Sequence, residues 1–454
     1  MDYIYEDSKK IKVHATTDVL VVGSGPAGLG AAIAAAREGV DVLLVERYGC
    51  FGGVISQVGV EGFAWYRHEE TIEAGGIVPE LENKFIELFQ SNPECQSTSQ
   101  ALDAEMFKYV ADKMVEEAGI RPILHCTAVS AIVEEGEIKG IITESKSGRF
   151  AILAKRVIDC TGDADIVALA DAPYTKAAKN ELMSVTTMFH VKGVDTQKFK
   201  DYIANDLKPT YKDWGGYWSI ETTGKEDDLF SPYFEKPFVE AVTEGLVPKD
   251  EDMCLGGTWS SITDEGEVTQ LNVVFMSNID CTDVEDLTRA EIAGRQNALY
   301  CVEILRNKVP GFENCKLRNF GMTLGTRESR KVAGHYTLTK EDVMQQARFE
   351  DSIGIFPEFI DGVGYLILPT TGKYYQIPYR CILPKEVDNL LVAGRAISGD
   401  KIAHVSFRNM SCCVTTGQAA GVAAAVSIKE GVSTSKVDVQ KVQDALEKQN
   451  VRIF

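Results

Sequence analysis

Few of the residues that build metal and dithiol centres stand at usable spacing in this chain. Its eleven cysteines include no CxxC pair, and the adjacent Cys412 and Cys413 have poor geometry for a disulfide. Dithiol chemistry is therefore not expected, and the thiols read as reduced in a cytoplasmic setting. Histidine occurs only six times, and no His/Cys/Asp/Glu cluster has ligand spacing, so no metal site is expected. Positive charge is also short. The 47 Lys and Arg against 67 Asp and Glu leave a net charge of -20. Such a surface repels nucleic acid and anionic lipid as bulk partners, yet a few arginines in a cleft can reverse the sign locally. No apolar run reaches spanning length. The nearest, Cys412 to Ile428, is short, rich in Ala and Gly, and contains Gln418, so no membrane partner is expected. Met1 to Thr17 is polar and lacks the apolar core of a signal peptide.

What is present suits a folded enzyme. At 454 residues, with 44% hydrophobic residues, the chain can fill two joined domains. Asp18 to Val22 reads as a buried strand, followed by the loop Gly23-Ser24-Gly25-Pro26-Ala27-Gly28. A helix packed with small residues, Pro26 to Glu38, ends at Gly39, and Val40 to Glu46 is a second buried strand. Asp103 caps a helix from Ala104 to Ala118. Three short β-runs follow, Val129 to Glu134, Ile138 to Glu144 and Phe150 to Leu153, then a returning strand, Arg156 to Cys160. Thr288 with Glu291 reads as a capping box, and Thr339 with Asp342 as another helix start. Asn389 to Ala393 is a last buried strand, and Cys413 to Ile428 a closely packed helix. The expected fold class is α/β, a Rossmann-like nucleotide-binding domain with a β-meander insertion plus an inserted α+β substrate domain. The expected boundaries are residues 1–171 and 385–454 for the first and 172–384 for the second, with residues 57–100 as a lid or substrate-side segment.

The first loop has a physical reading. Gly23 allows the tight turn, Gly25 lets the backbone approach a pyrophosphate, and Gly28 lets helix and strand pack closely. The helix N-terminus then turns its free N–H groups to the phosphates. Glu46, 18 residues after Gly28, can accept from ribose hydroxyls. NAD and FAD share this fingerprint.

Further segments separate them: Glu46-Arg47-Tyr48-Gly49-Cys50-Phe51-Gly52-Gly53, Val157 to Asp165, Gly325 to Arg330, Ile377 to Arg380, Leu391 to Arg395, and His404 through Arg408 to Gly421. In this order they resemble the FAD-dependent oxidoreductases related to the succinate dehydrogenase and fumarate reductase flavoproteins, with a glutathione-reductase-type FAD fold. The resemblance implies that Gly52, Gly53 and Val54 lie along the flavin side, and that the backbone of Ala128 and Val129 meets the adenine. It places Thr161 and Gly162 at the adenosine or pyrophosphate, Gly394 and Arg395 at the ribityl chain, and His404 to Met410 at the isoalloxazine. Those relatives often attach FAD to a histidine before the paired glycines. Here Cys50 and Phe51 stand there, so non-covalent FAD is expected.

No second dinucleotide fingerprint occurs, so the expected reaction is hydride transfer between flavin N5 and a small organic substrate, such as a carboxylate or a hydroxy or keto compound. An oxygen-using oxidase or monooxygenase, an electron-transfer subunit and a non-catalytic scaffold are the alternatives, and a homo-oligomer is compatible with the sequence. Candidate substrate-side residues are His404, Arg408, Arg327, Tyr379 and Arg380. His404 reads equally as a proton donor or acceptor and as a flavin hydrogen-bonder. Arg408 suits an anionic flavin edge or a substrate carboxylate. Arg327 reads equally as part of a structural ion network with Glu328 and Arg330. Phe63, Trp65 and Tyr66 suit either a lid or a packed interdomain loop.

Overall fold

The glycine-rich loop lies at the carboxyl end of a central strand, in a computed structural model that describes residues 4, 8–63, 73–89, 102–208, 219–221, 233–368 and 372–454. Strand β1 (Lys12–Val22) leads through the loop into helix α1 (Pro26–Arg37) and strand β2 (Val42–Val45). Val54–Val58 form one π-helical turn. Then come α2 (Ile77–Phe89), α3 (Ala104–Glu117), β3 (Arg121–Ile123), β4 (Thr127–Glu134), β5 (Glu137–Ser145), β6 (Gly148–Asp159) and α4 (Asp165–Leu169). Asp103 caps α3 as expected, its carboxylate accepting from the Glu105 and Met106 N–H groups.

The third β-run and the returning strand are one element. β6 pairs with β1, in parallel, from Phe150 to its end at Asp159. On its other edge the first half pairs with β5 and the last residues with the late strand Leu390–Val392. A strand served by different neighbours along one edge shows two periodicities in sequence, which is why it reads as two. The resulting sheet runs β3-β2-β1-β6-β5-β4, with the late strand also on β6. It has the parallel Rossmann-like core and the antiparallel meander that the sequence implies.

The middle of the chain builds a second sheet. Its elements are β7 (Tyr174–Thr175), β8 (Val185–Thr186), β9 (Phe189–Lys192), α5 (Thr196–Tyr202), β10 (Ser219–Glu221), β11 (Tyr233–Phe234), α6 (Lys236–Thr243), β12 (Met253–Thr258), β13 (Glu267–Met276), α7 (Val284–Lys308) and β14 (Lys316–Phe320). Strands β11-β12-β13-β9-β14 lie in that order and are antiparallel, with β8 also on β13. Phe199, Trp259, Phe312 and Leu305 fill the core beneath. Helix α7 starts four residues before Thr288. Asp283 is its cap, Thr288 returns its hydroxyl to the Val284 carbonyl, and Glu291 accepts from the Thr323 hydroxyl and the Leu324 N–H. The Thr288–Glu291 box is therefore not formed, because Asp283 offers the better acceptor one turn earlier.

The last stretch comprises β15 (Lys331–Val332), α8 (Lys340–Met344), β16 (Ser352–Pro357), β17 (Ile360–Gly362), β18 (Tyr365–Ile367), β19 (Tyr374–Pro378), β20 (Leu390–Val392), α9 (Lys401–Phe407), α10 (Met410–Glu430) and α11 (Val439–Lys448). The helix start expected at Thr339 and Asp342 is present, and the two residues form a capping box. Side chains from Leu338 to Leu383 pack in the same core as α1 and α10, while the second sheet keeps its own. Helix α10 corrects one expectation: at 21 residues it is long and apolar enough to span a membrane, but 94% of the relevant window is buried inside the protein. It is the central core helix. It crosses α1 at backbone contact, since a Cβ on Gly417 would lie 2.0 Å from the Ala27 carbonyl oxygen and one on Gly421 2.2 Å from that of Ala31.

Candidate active site

The carboxyl ends of β1, β2, β6 and β20 open on one cavity of about 1010 Å³, walled on its far side by β12 and β13. This is at the top of the roughly 300–1,000 Å³ range of small-molecule pockets and lies where ligands bind parallel α/β sheets. Gly23 to Ala27, Glu46, Arg47, Gly53, Val54, Ala128, Thr161, Gly162, Gly394 and Arg395 all line it. Gly28, Gly52 and Val129 do not. Gly28 works from behind, where a Cβ would lie 1.9 Å from the Gly23 carbonyl oxygen. A Cβ on Gly52 would crowd Ser56 and Phe107, and one on Gly53, at φ +53°, would meet the Gly25 Cα at 2.5 Å. Helix α1 has no side-chain cap at Gly25, so its first N–H groups are left for a ligand.

Glu46 is buried with its carboxylate already engaged. It accepts from the Ser24 N–H (2.9 Å) and hydroxyl (2.6 Å) and from the Tyr48 N–H (2.9 Å). It ties the loop to β2 as well as facing the cavity, while the Arg47 guanidinium lies over the Tyr48 ring. Asp159 organises the turn after β6, accepting from the Thr161 hydroxyl and N–H and from the Ile166 and Val167 N–H groups. Burial nevertheless pushes its pKa up to about 6. Asp163 then receives Arg395 (2.6 Å) and the Ser329 hydroxyl (2.6 Å). The Arg395 Nε, on the cavity wall, is buried without a hydrogen-bond partner among the described residues. An uncapped helix start, a glycine cradle and an orphaned guanidinium N–H suit a pyrophosphate-linked dinucleotide.

The substrate side differs from expectation. Arg327, Arg408 and Met410 line the cavity, but His404, Tyr379 and Arg380 do not. Burial, then the charge of Lys331, pushes the His404 pKa well below its ordinary value, so the ring is neutral. Its Nε2 lies 3.0 Å from the Arg327 carbonyl oxygen, which fixes that backbone. Tyr379 is buried and donates to the Thr434 carbonyl (2.9 Å), and burial raises its phenol pKa, so it is a core residue. Arg380 pairs with Asp351 and stacks over Tyr336.

Arg327 does not join the Glu328–Arg330 network. Glu328 takes Lys331 and the Met183 N–H, and Arg330 takes Asp165. The Arg327 guanidinium instead donates to the Ser184 carbonyl (2.8 Å) and the Asn272 amide oxygen (3.1 Å) and lies over the Phe275 ring. Burial, then the neighbouring Arg408, pulls its pKa down to about 9, which leaves it charged at neutral pH. Arg408 donates to the Asp361 carbonyl (2.7 Å), with the Asp361 carboxylate at 3.9 Å, and its Nε is buried without a hydrogen-bond partner among the described residues.

Sequence reasoning missed the substrate wall on β13 and the buried pair behind it. Glu61 and His190 are each 2% exposed, 3.7 Å apart. Burial pushes Glu61 up to about 7, against the Thr269 hydroxyl and the Ala104 N–H, and pushes His190 down to about 4. Because the folded chain holds the Glu61 proton more tightly than the unfolded one, this carboxyl favours folding most below pH 4.5, and that advantage is lost as pH rises through 7. Glu61→Gln is expected to be more stable than the parent at pH 8, by on the order of 3 kcal/mol, with the gap closing near pH 4.5. Denaturant unfolding at the two pH values checks this. An equal gap at both would contradict the buried neutral acid. Phe63 is buried; Trp65 and Tyr66 lie outside the described residues.

Comparison with known proteins agrees with this geometry. The model of a family described as FAD dependent oxidoreductase matches residues 18–446. Digeranylgeranylglycerophospholipid reductase 1 of Methanopyrus kandleri is 33% identical over 150 residues, 32% of this chain and 39% of that protein. Thiamine thiazole synthase of Sulfolobus acidocaldarius is 30% identical over 34% of this chain and 58% of its own length. The chain thus spans less than two thirds of the curated relatives it matches. A geranylgeranyl bacteriochlorophyll reductase-like protein from Thermoplasma acidophilum has a similar fold, with TM-score 0.51 at 16% identity, over 96% of this chain and 84% of that one. With a family match over most of its length, the chain belongs to the FAD dependent oxidoreductases: it is an enzyme, and its cofactor is FAD.

Proposed function

We propose that this enzyme exchanges hydride with a small organic anion, held by Arg327 and Arg408 beside non-covalently bound FAD. Bound FAD supplies the two-electron chemistry, taking or giving hydride at flavin N5. Gly23 to Ala27 and the α1 N-terminus hold the pyrophosphate, Glu46 and Ala128 the adenosine end, and Thr161, Gly162 and Arg395 the middle of the dinucleotide. Gly53, Val54 and Met410 bound the flavin end. Cys50 is off the cavity wall, which supports non-covalent attachment. His404 acts by holding the Arg327 backbone and transfers no proton.

The observation that carries this reading is the arginine pair. Two part-buried guanidiniums face one cavity in a chain of net charge -20, and the carboxylate nearest Arg408 stands 3.9 Å away and half-exposed. Positive charge only weakly neutralised in a part-buried wall favours an anion from outside. Kinship to the succinate dehydrogenase and fumarate reductase flavoproteins, read from the motif order, belongs to this proposal and agrees with an organic acid. The experiment is anaerobic titration of the yellow holoprotein with hydroxy acids, enoates, sugars and NAD(P)H. A change of the flavin spectrum with an organic acid, on oxidised or chemically reduced enzyme, is expected. Response to sugars or nicotinamides alone would overturn the reading.

A further inference from the structure

Strand β13 places two side-chain amides on the cavity wall, Gln270 and Asn272. A bulge puts them there. Pairing with β9 slips between Val268 and Leu271, and Gln270 takes φ +49°, a left-handed conformation that strains a non-glycine residue. Before the bulge Val268 points into the core; after it Leu271 and Val273 do. As far as Val273 the inserted residue exchanges which positions face inward, and it turns Gln270 and Asn272 to the cavity.

The orientation of each amide is fixed by one neighbour that can only donate, the Glu61 N–H for Gln270 and the Arg327 guanidinium for Asn272. The Gln270 oxygen accepts from the Glu61 N–H at 2.5 Å. The Asn272 oxygen accepts from the Arg327 guanidinium at 3.1 Å, and from the Thr186 hydroxyl at 2.9 Å. Both NH₂ groups therefore lie on the other side, and neither has a hydrogen-bond partner among the described residues. Arg327, Asn272 and Gln270 form a row of donors.

We infer that Gln270 and Asn272 are specificity-determining residues, donating to a second, uncharged oxygen of the substrate, a carbonyl or hydroxyl, apart from its anionic group. This rests on the anion reading of Arg327 and Arg408. The substrate class narrows to hydroxy or oxo acids, and a plain alkanoate or enoate leaves both amide donors unmatched.

The test uses the holoenzyme and matched acids: propanoate against lactate and pyruvate, butanoate against acetoacetate, and pentanoate against levulinate. Dissociation constants are read from perturbation of the flavin absorbance. At least one oxygenated acid is expected to bind about five- to tenfold more tightly than its plain partner, the worth of one neutral hydrogen bond. In Gln270→Gly, which relaxes the backbone at positive φ while removing the amide, that ratio falls toward one. Gln270→Asn, which tolerates the same backbone, retains part of it. Plain and oxygenated acids binding equally to the parent, or a ratio unchanged in Gln270→Gly, would overturn the inference while leaving the anion site intact. A parent that binds none of the acids would overturn the anion reading itself, and this inference with it.

Discussion

Gly28→Val is expected to yield a colourless protein that does not take up FAD. The substituted Cβ would fall 1.9 Å from the Gly23 carbonyl oxygen and 2.8 Å from its carbon, backbone against backbone. Gly23 cannot yield, because its N–H is bonded to the Val45 carbonyl at 2.8 Å and holds the loop to β2. The strain must push α1 away from β1 and carry the uncapped helix start out of reach of a pyrophosphate. Overpacking of this kind costs at least about 2 kcal/mol, roughly thirtyfold in FAD affinity. The ratio of flavin to protein absorbance after purification, with unfolding in the presence and absence of FAD, checks it. A variant as yellow as the parent would show that the loop does not hold the cofactor.

Arg327→Met and Arg408→Met are expected to act on the substrate and not on the cofactor. Each removes one partner of a buried, charge-assisted contact, a loss of about 2–5 kcal/mol. That corresponds to roughly 30- to 5,000-fold in kcat/KM for an anionic substrate. Flavin content should stay near that of the parent, because neither side chain ties the strand-end loops together. Arg327→Lys should not restore activity. A lysine has no planar fork to reach both the Ser184 carbonyl and the Asn272 amide, which Arg327 contacts at 2.8 and 3.1 Å. Steady-state kinetics on the flavin-replete variants decides. Loss of flavin without change in turnover per flavin would move these arginines to the cofactor side.

The nucleotide half was readable because its signals are local. A strand, six loop residues, a helix of small residues and an acidic strand end follow one another within about one βαβ unit, and each constrains the next. The Asp103 cap and the helix start at Thr339 and Asp342 were readable for the same reason. What misled was tertiary. Continuity of β6 depends on which strand lies on its far edge. His404, Tyr379 and Arg408 sit in neighbouring motifs, but burial sends the first two into the core and leaves only Arg408 on the cavity. Arg327 looked equally like part of an ion network with Glu328 and Arg330, and only the fold sends those two elsewhere. Gln270 and Asn272 gave no signal, because a bulge that reverses the facing of a strand has no glycine or proline here to announce it.

The central claim is that one cavity holds FAD and an anionic substrate against the arginine pair. Its most direct measurement is a single-turnover reaction of the bound flavin, followed by absorbance without oxygen, with an active organic acid and with its methyl ester at equal concentration. The account predicts a flavin reaction with the acid that slows at least about thirtyfold with the ester, and no such discrimination in Arg327→Met. Equal rates for acid and ester in the parent would contradict it.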